Sequence, residues 1–304
     1  MITTNVKYDT ETRLLGLLGH PLDHSITSVV HNAMYQFGDL NAVFIPFELE
    51  DAPGALDRFF EAVKTLGILG FSVTMPYKTR MLPYMDEVSE ECRAFNCVNN
   101  VKYVDGRFFG DGFDGYGMCQ AIEDTGARLA GREALIIGAG GISGVIANEM
   151  ARRGVTAFTI LNRTAEKADR LAQILSDRTG LPVRSGPLTR EELDQAAGRA
   201  DVVAQCTSVG MYGTGTQFPY LGFIQKLDKS AIVADALYNP LQTAILKTAS
   251  ERGLQTVNGI GMLANQMNAL IRFYFGTDLG LGGKCEATST IIRAMQDRIK
   301  AGKA

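Results

Sequence analysis

A glycine-rich turn at residues 138–144 constrains the fold of this chain more than any other segment. It follows the short apolar run Glu133–Ile137, which is typical of a buried parallel strand, and the spacing of apolar residues predicts a helix over 144–153. A tight strand-to-helix turn needs glycine where backbone N–H groups at the helix start approach a pyrophosphate. The segment therefore predicts a dinucleotide-binding unit, with Ser143 in the place of the third glycine of the usual fingerprint.

Strand-like and helix-like segments alternate along the whole chain, which predicts α/β units with mostly parallel sheets. In the first part we predict strands at 13–18, 42–47 and 68–74, helices at 28–37 and 54–66, and a mostly helical segment at 80–95. Asp105-Gly106 is a hairpin turn, so the flanks 98–104 and 107–109 should pair as antiparallel strands at the edge of the sheet. A second series has strands near Leu135, Phe158, Val183, Val202 and Ile232.

A length of 304 residues is enough for about two domains. We predict a substrate-binding catalytic domain at 1–115 and a Rossmann-like dinucleotide-binding domain at 116–261, with the active-site cleft between them and a hinge helix at 116–125. Two C-terminal helices, at 262–275 and 287–301, should complete the first domain within residues 262–304.

Charge and composition exclude several classes of partner. The formal net charge is −3, which offers no basic footprint for nucleic acid. No apolar run approaches the ~20 residues of a membrane span, and the polar opening lacks a signal core, so a cytoplasmic location is expected. The five cysteines form no C-x-x-C pair, and Pro21 separates His20 from His24, so neither a metal site nor a disulfide framework is expected. The partner should be a small molecule.

The strand after the glycine turn ends in Asn162-Arg163-Thr164, with Lys167 one helical turn later. A free ribose 2′-hydroxyl is usually held by an acidic residue about 20 residues past the glycines, and this strand end has none. Arg163 offers a planar fork for a 2′-phosphate, which Lys167 and Thr164 would support. The segment favours NADP over NAD. The alternative is a solvated basic face with Thr164 as a helix N-cap.

Two further groups of residues have the chemistry of a site. Ser25 and Thr27 follow the first strand, where their hydroxyls could hold a carboxylate near a helix N-terminus, or could simply be capping residues. Lys78 and Asp114 lie in two separate polar segments and could transfer the proton of a reacting alcohol, or could form a structural ion pair.

These segments resemble, in order, the motifs of the shikimate/quinate dehydrogenase family over about residues 13 to 275. The matching residues are Gly19, Pro21, His24, Ser25, His31, Asn32, Val73, Thr74, Pro76, Lys78, Asn99, Gly110, Asp114, Gly115, the run 207–211, Tyr238, Asn239, Pro240, Thr243, the run 259–263 and Gln266, and Thr27 stands at the position of a serine.

The resemblance implies reversible NADP-linked oxidation of shikimate to 3-dehydroshikimate, with Lys78 and Asp114 as the catalytic pair. Together with those two, the residues that it implies around the substrate are Ser25, Thr27, Thr74, Asn99, Tyr238 and Gln266. The expected cofactor-binding residues are Gly138, Ala139, Gly140, Gly141, Ile142, Ser143, Asn162, Arg163, Thr164, Lys167, Thr207, Ser208, Ala236 and Gly259.

Several residues depart from the family pattern, and because of them the sequence does not decide which ring acid is the substrate. These departures are Ser28 for proline, Ser72 for asparagine, Asn100 for threonine, Gly112-Phe113 for Asn-Thr and Gln205-Cys206 for Asn-Ala. A paralogue that prefers quinate, aminoshikimate or another cyclic hydroxy acid is one alternative. A non-catalytic NADP-binding sensor is another, and a homodimer is compatible with either.

Overall fold

A computed structural model of the chain describes residues 8–23 and 25–300, with the side chains of 298–300 left aside. His24, one residue of the predicted family motif, therefore lies outside the described residues. The chain divides into two units. The first runs to Phe113 and resumes at Met267, and the second is Asp114–Gln266.

The first unit is built on a six-stranded mixed sheet in the order β2-β1-β3-β5-β6-β4. Its elements up to Phe113 are β1 (Arg13–Gly19), α1 (Thr27–Phe37), β2 (Ala42–Glu48), α2 (Ala55–Leu66), β3 (Gly70–Val73), two 3₁₀ turns (Lys78–Arg80 and Leu82–Tyr84), β4 (Glu87–Val88), α3 (Glu90–Phe95), β5 (Asn100–Val104) and β6 (Arg107–Asp111). Strands β1, β2 and β3 are mutually parallel, whereas β5 runs antiparallel to both of its neighbours.

The second unit is built on a six-stranded parallel sheet in the order β12-β11-β10-β7-β8-β9. Its elements are α4 (Asp114–Glu123), β7 (Glu133–Ile137), α5 (Gly141–Arg152), β8 (Ala157–Asn162), α6 (Ala165–Thr179), β9 (Val183–Pro187), α7 (Arg190–Ala197), β10 (Val202–Gln205), a 3₁₀ turn (Gly222–Lys226), β11 (Ile232–Asp235), α8 (Ala244–Glu251) and β12 (Gln255–Val257). Helix α9 (Gly259–Phe275) then leads from this unit into the first, and α10 (Gly280–Lys300) ends the described chain.

The two sheets bury different sequence patterns. Strand β7 is apolar on both faces, and its neighbours Leu135 and Ile136, which point to opposite faces, are fully buried, as expected for a parallel strand covered on both sides. In the first unit Asn32 joins α1 to β2: its Nδ2 donates to the carbonyl of Phe44 and its Oδ1 accepts from the N–H of Phe44, at 2.8 and 2.9 Å. The predicted α/β class with mostly parallel sheets is confirmed.

The predicted helix at 80–95 was wrong over most of its length. Only Glu90–Phe95 is α-helical, because Pro83 has no N–H to continue a helix and residues Glu87–Val88 pair with β6 instead. The same pairing makes β4 the edge strand, so the hairpin of β5 and β6 was wrongly predicted to form the edge.

The two C-terminal helices begin earlier than predicted, at Gly259 and Gly280, and the short strand β12 was not predicted. Helix α10 packs on α1 in the first unit, where a Cβ on Gly282 would come 3.1 Å from the ring of Phe37. This close contact favours glycine at the position, although glycine has a low helix propensity. Within the described part of the chain, no helix is both long and apolar enough to cross a membrane.

Candidate functional site

The carboxyl edge of the first sheet gathers the polar residues predicted for that unit. Strands β1 and β3 end side by side there, because a Cβ on Gly19 would lie 2.3 Å from Cγ2 of Thr74. The N–H of Val73 donates to the carbonyl of Asn99 at 2.7 Å, which places the start of β5 at the same edge. Segments that carry Ser25, Thr27, Thr74, Lys78 and Asn99 therefore leave or enter the sheet on one side.

Ser25 and Thr27 form a small hydroxyl pair at the start of α1. The Ser25 Oγ accepts from the N–H of Thr27 at 3.2 Å and donates to its Oγ1 at 3.0 Å. Ile26 occupies the N-cap position, so neither residue is the N-cap itself, although Ser25 accepts the N–H of the first residue of the helix. Since Oγ1 of Thr27 accepts from Ser25, its own hydrogen can be donated to an anion near the helix N-terminus.

The turn after β3 fixes Lys78 relative to the sheet. Tyr77 is fully buried; its hydroxyl donates to the carbonyl of Leu49 at 2.7 Å, and its N–H donates to the carbonyl of Thr74 at 3.0 Å. Lys78 follows at once, half-buried, and its carbonyl accepts from the N–H of Val98 at 3.0 Å. The backbone that carries the lysine is thus anchored to two neighbouring segments.

In the second unit the first residue of α4, Asp114, contacts Gln266. The Gln266 Nε2 donates to Oδ1 of Asp114 at 3.0 Å, and both side chains are buried. A Cβ on Gly115 would lie 2.3 Å from the carbonyl oxygen of Val145, so that glycine allows α4 to pack directly on α5. The structure therefore brings together two of the residues predicted to surround the substrate.

The glycine turn between β7 and α5 has the backbone that the sequence predicted. Gly138 has a φ of +110°, which favours glycine, and a Cβ there would lie 2.7 Å from Thr207 Cγ2. Apart from its chain neighbours, no atom of the described residues lies within 4 Å of the Cβ position of Gly140, so a ligand can approach the backbone there. Buried Ser143 stands in place of the third glycine, and its Oγ accepts from the N–H of Gly140 at 3.2 Å.

A basic face lies beside this turn at the end of β8. Asn162 joins the two segments, since its Oδ1 accepts from the N–H of Ala139 at 3.2 Å. Arg163, Thr164 and Lys167 follow it and are all exposed. Thr164 occupies the N-cap position of α6 but makes no side-chain cap bond, so its hydroxyl is not committed to the helix as the capping interpretation required.

The loops after β10 and β11 depend on two buried polar residues that the sequence reasoning did not identify as structural supports. Gln205 Nε2 donates to the carbonyls of Thr207 and Val209 at 3.0 and 3.2 Å. The Asp235 carboxylate accepts from the hydroxyl of Thr243 at 2.5 Å and from the N–H of Leu237 at 2.9 Å. Burial raises the pKa of Asp235 to about 6, against the effect of these two donors. An acidic residue closing the apolar run Ile232–Asp235 was the available signal.

The other predicted residues of these loops occupy the same edge of the second sheet. Ser208 is exposed, and Ala236 and Tyr238 are half-buried. Gly259 approaches Ala236 so closely that a Cβ on it would lie 2.4 Å from the Ala236 carbonyl oxygen. That contact accounts for the glycine, because no larger residue fits between the loop and the start of α9.

Comparison with known proteins supplies an independent description of both units. Residues 17–101 match the family profile described as shikimate dehydrogenase substrate binding domain, and residues 120–212 match shikimate / quinate 5-dehydrogenase. A curated relative, shikimate dehydrogenase (NADP(+)) of Alkaliphilus oremlandii, is 36% identical over 89% of this chain and 93% of its own length.

Solved structures agree in fold over nearly the whole chain. A crystal structure of a shikimate dehydrogenase in complex with NADP+ has a TM-score of 0.84 at 30% identity, covering 95% of this chain and 98% of the other. A ligand-free 5-ketofructose reductase of Gluconobacter sp. strain CHM43 has a TM-score of 0.82 at 27% identity, covering 94% of this chain and 100% of the other. The family resemblance predicted from the motifs is confirmed, and the chain belongs to the shikimate/quinate dehydrogenase family.

Proposed function

We propose that this protein catalyses the reversible NADP-linked oxidation of shikimate to 3-dehydroshikimate. The observation that carries the proposal is the gathering of hydroxyl, amide and ammonium-bearing segments at the carboxyl edge of the first sheet. Such a set suits a small ring that carries a carboxylate and several hydroxyls. The named function of the curated relative, which spans nearly the same length, supports it.

The second unit fits NADP. The open space at Gly140 and the N-terminus of α5 suit a pyrophosphate, and the exposed Arg163 and Lys167 suit a 2′-phosphate beside it. We propose that the remaining predicted cofactor residues support this binding, with Thr207 adjacent to Gly138. Glu166, in the first turn of α6, is an exposed acidic residue of the same region. Arg163 follows the end of β8 directly and is therefore closer to the strand end in sequence than Glu166 is.

We propose that Ser25 and Thr27 hold the substrate carboxylate and that Thr74, Asn99, Tyr238 and Gln266 contact the ring substituents. A carboxylate suits the first pair, since Thr27 begins α1 and the positive end of the helix dipole favours an anion. Gln266 donates to Asp114, so it would keep the carboxylate of Asp114 oriented while also facing the ligand.

Oxidation of a secondary alcohol removes a hydride from carbon and a proton from oxygen. NADP supplies the hydride acceptor at nicotinamide C4. We propose that Lys78 and Asp114 take the hydroxyl proton and stabilise the negative charge that develops on the oxygen, and that they return the proton in the reverse direction.

A different ring acid is the main alternative, because most departures from the family pattern lie next to proposed substrate residues in the sequence and the family description itself includes quinate. Lys78 and Asp114 argue against a non-catalytic NADP sensor, since a sensor needs neither residue. We further propose that the protein works in the cytoplasm, where its five cysteines would remain thiols, and that it forms a homodimer.

A substrate and cofactor panel tests the proposed function. Purified protein is assayed with shikimate, quinate and an aminated shikimate, each with NADP and with NAD. We expect the highest kcat/KM with shikimate and NADP. A higher value with quinate or with NAD would replace the substrate or the cofactor, and NADP binding without turnover of any ring acid would establish the sensor.

A further inference from the structure

Two departures from the family pattern are partners across neighbouring strands. Ser72 on β3, where the family carries asparagine, pairs in register with Asn100 on β5, where the family carries threonine. The Ser72 hydroxyl donates to Oδ1 of Asn100 at 2.8 Å. The amide and the hydroxyl have thus exchanged strands. This exchange places an amide beside Asn99.

Two hydrogen-bond donors fix the orientation of the Asn99 amide, and the shorter contact comes from Asn100. The N–H of Phe113 donates to a side-chain atom of Asn99 at 3.3 Å, and that atom must be Oδ1 because a backbone N–H cannot accept. The Nδ2 of Asn100 donates to the same oxygen at 2.6 Å. Two donors therefore occupy Oδ1 of Asn99, and its NH₂ group is the end that can face a ligand.

Asn100 is itself held in one orientation. Its Oδ1 accepts from Ser72 and, at 3.3 Å, from the hydroxyl of Tyr274. The side chains of this cluster are all buried, with exposed fractions of 8% or less: Ser72, Asn99, Asn100 and Tyr274. A reversed Asn100 would turn its oxygen toward Oδ1 of Asn99 and leave two buried hydroxyls without that acceptor, which is costly.

We propose that Asn100 is a positioning residue that makes Asn99 a hydrogen-bond donor toward the substrate. This inference rests on the proposed function, in which Asn99 contacts a ring substituent. The group that meets Asn99 must then accept a hydrogen bond, as a hydroxyl or carbonyl oxygen does. An ammonium group has no lone pair to offer, so the site selects hydroxylated rings and rejects a ring with an amine at that position.

Competition assays with amino analogues test the inference. Each ring hydroxyl of shikimate is replaced in turn by an amino group, and inhibition constants against shikimate are measured at neutral pH, so that analogues without turnover still give a value. For wild type we expect one amino analogue to bind about 100-fold or more weakly than shikimate. Equal binding of every amino analogue and shikimate would overturn the inference.

Two substitutions separate amide orientation from charge. Asn100→Asp places a carboxylate that attracts the NH₂ of Asn99 more strongly than the 3.3 Å contact from Phe113 holds Oδ1, and this turns Oδ1 of Asn99 toward the ligand. Asn100→Leu removes the shorter of the two donor contacts to Asn99 without adding a charge, and leaves only the 3.3 Å contact from Phe113. We expect both variants to reduce the discrimination between shikimate and the rejected analogue at least tenfold. An effect of Asn100→Asp alone would be simple attraction of the ammonium, and would overturn the positioning role.

Ser72→Ala is the matched control. It removes one donor to Asn100 but leaves the Asn100–Asn99 bond, so the discrimination should stay within about twofold of wild type while stability falls. A loss of discrimination in Ser72→Ala equal to that in Asn100→Leu would point to general loosening of the cluster and would overturn the inference. Wild-type turnover of shikimate with NADP, measured in the same series, tests the proposed function separately.

Discussion

At the scale of single residues, the proton-transferring role of Lys78 and Asp114 is the central prediction. Lys78→Ala should lower kcat by about 10²–10⁴-fold, the range for loss of a general acid or base. NADP affinity should stay within about twofold, because the proposed cofactor residues all lie in the second unit. Initial rates at saturating shikimate and calorimetric titration of NADP measure the two quantities.

Lys64→Ala is a suitable control for that substitution. Lys64 belongs to the same unit and pairs with Glu61 at 2.8 Å on the exposed surface of α2, so its loss should leave the rate unchanged. A decrease of only a few fold in Lys78→Ala would exclude the proposed role. Lys78→Ala combined with Asp114→Asn should be little slower than either single variant, since residues that act as a unit are not additive.

Arg163 carries the prediction on cofactor choice. Arg163→Ala should weaken NADP binding by about 1.5–3 kcal/mol, the range for a hydrogen bond to a charged group, and should leave NAD nearly unchanged. Arg170→Ala, at an exposed position of the following helix α6, is the control and should alter neither. Equal losses for both cofactors, measured by calorimetry, would mean that Arg163 has a structural role instead.

At the scale of helices and strands, local sequence predicted the elements that carry their own pattern. The strands of the parallel sheet are apolar runs, and the glycine turn follows one of them, so β7 and α5 could be located within a few residues. Strand β4 could not be predicted, because Glu87–Val88 has no strand pattern and forms only by pairing with β6. Nor could the orientation of Asn99, which depends on Phe113 and Asn100 through contacts that appear only after folding.

The contact of α1 with β2 predicts how stability depends on pH. His31 on α1 is buried, its ring stacks on Phe44 at 3.9 Å, and burial lowers its pKa from 6.5 to about 3. Between those two values the unfolded chain binds a proton that the folded chain does not, so stability is complete above pH 6.5 and falls as the pH decreases. From pH 7 to pH 4.5 His31 should contribute a loss of about 2–3 kcal/mol.

Urea unfolding followed by circular dichroism at several pH values measures this contribution. His31→Phe should flatten the pH dependence between pH 4.5 and 6.5 relative to wild type. Met34→Ala, a buried change on the same helix that removes no titrating group, should lower stability about equally at each pH. Parallel curves for wild type and His31→Phe would show that His31 is protonated in the folded state without cost.

At the scale of the whole molecule, the two units are proposed to bind different ligands. The proposed cofactor residues lie in the second unit, at the glycine turn, the β8–α6 junction, the loops after β10 and β11 and the start of α9. Most proposed substrate residues lie in the first unit, at the carboxyl edge of its sheet. Three of the proposed substrate residues, Asp114, Tyr238 and Gln266, belong to the second unit instead.

Hydrogen–deuterium exchange with each ligand alone tests this division. At a free concentration of 100 times Kd, a ligand adds about 2.7 kcal/mol to the stability of the state that binds it, which slows exchange through the corresponding opening about 100-fold. Short labelling times report local opening of loops, where amides exchange before the sheets open.

We expect NADP to protect peptides covering 138–144, 162–167 and 207–209, and shikimate to protect 25–27, 74–78 and 99–100. The variant Arg163→Ala, at the same NADP concentration, should lose most of the protection that NADP gives. It should keep all of the protection that shikimate gives. Protection of 25–27 and 74–78 by NADP with no protection at 138–144 would contradict the assignment of ligands to the units.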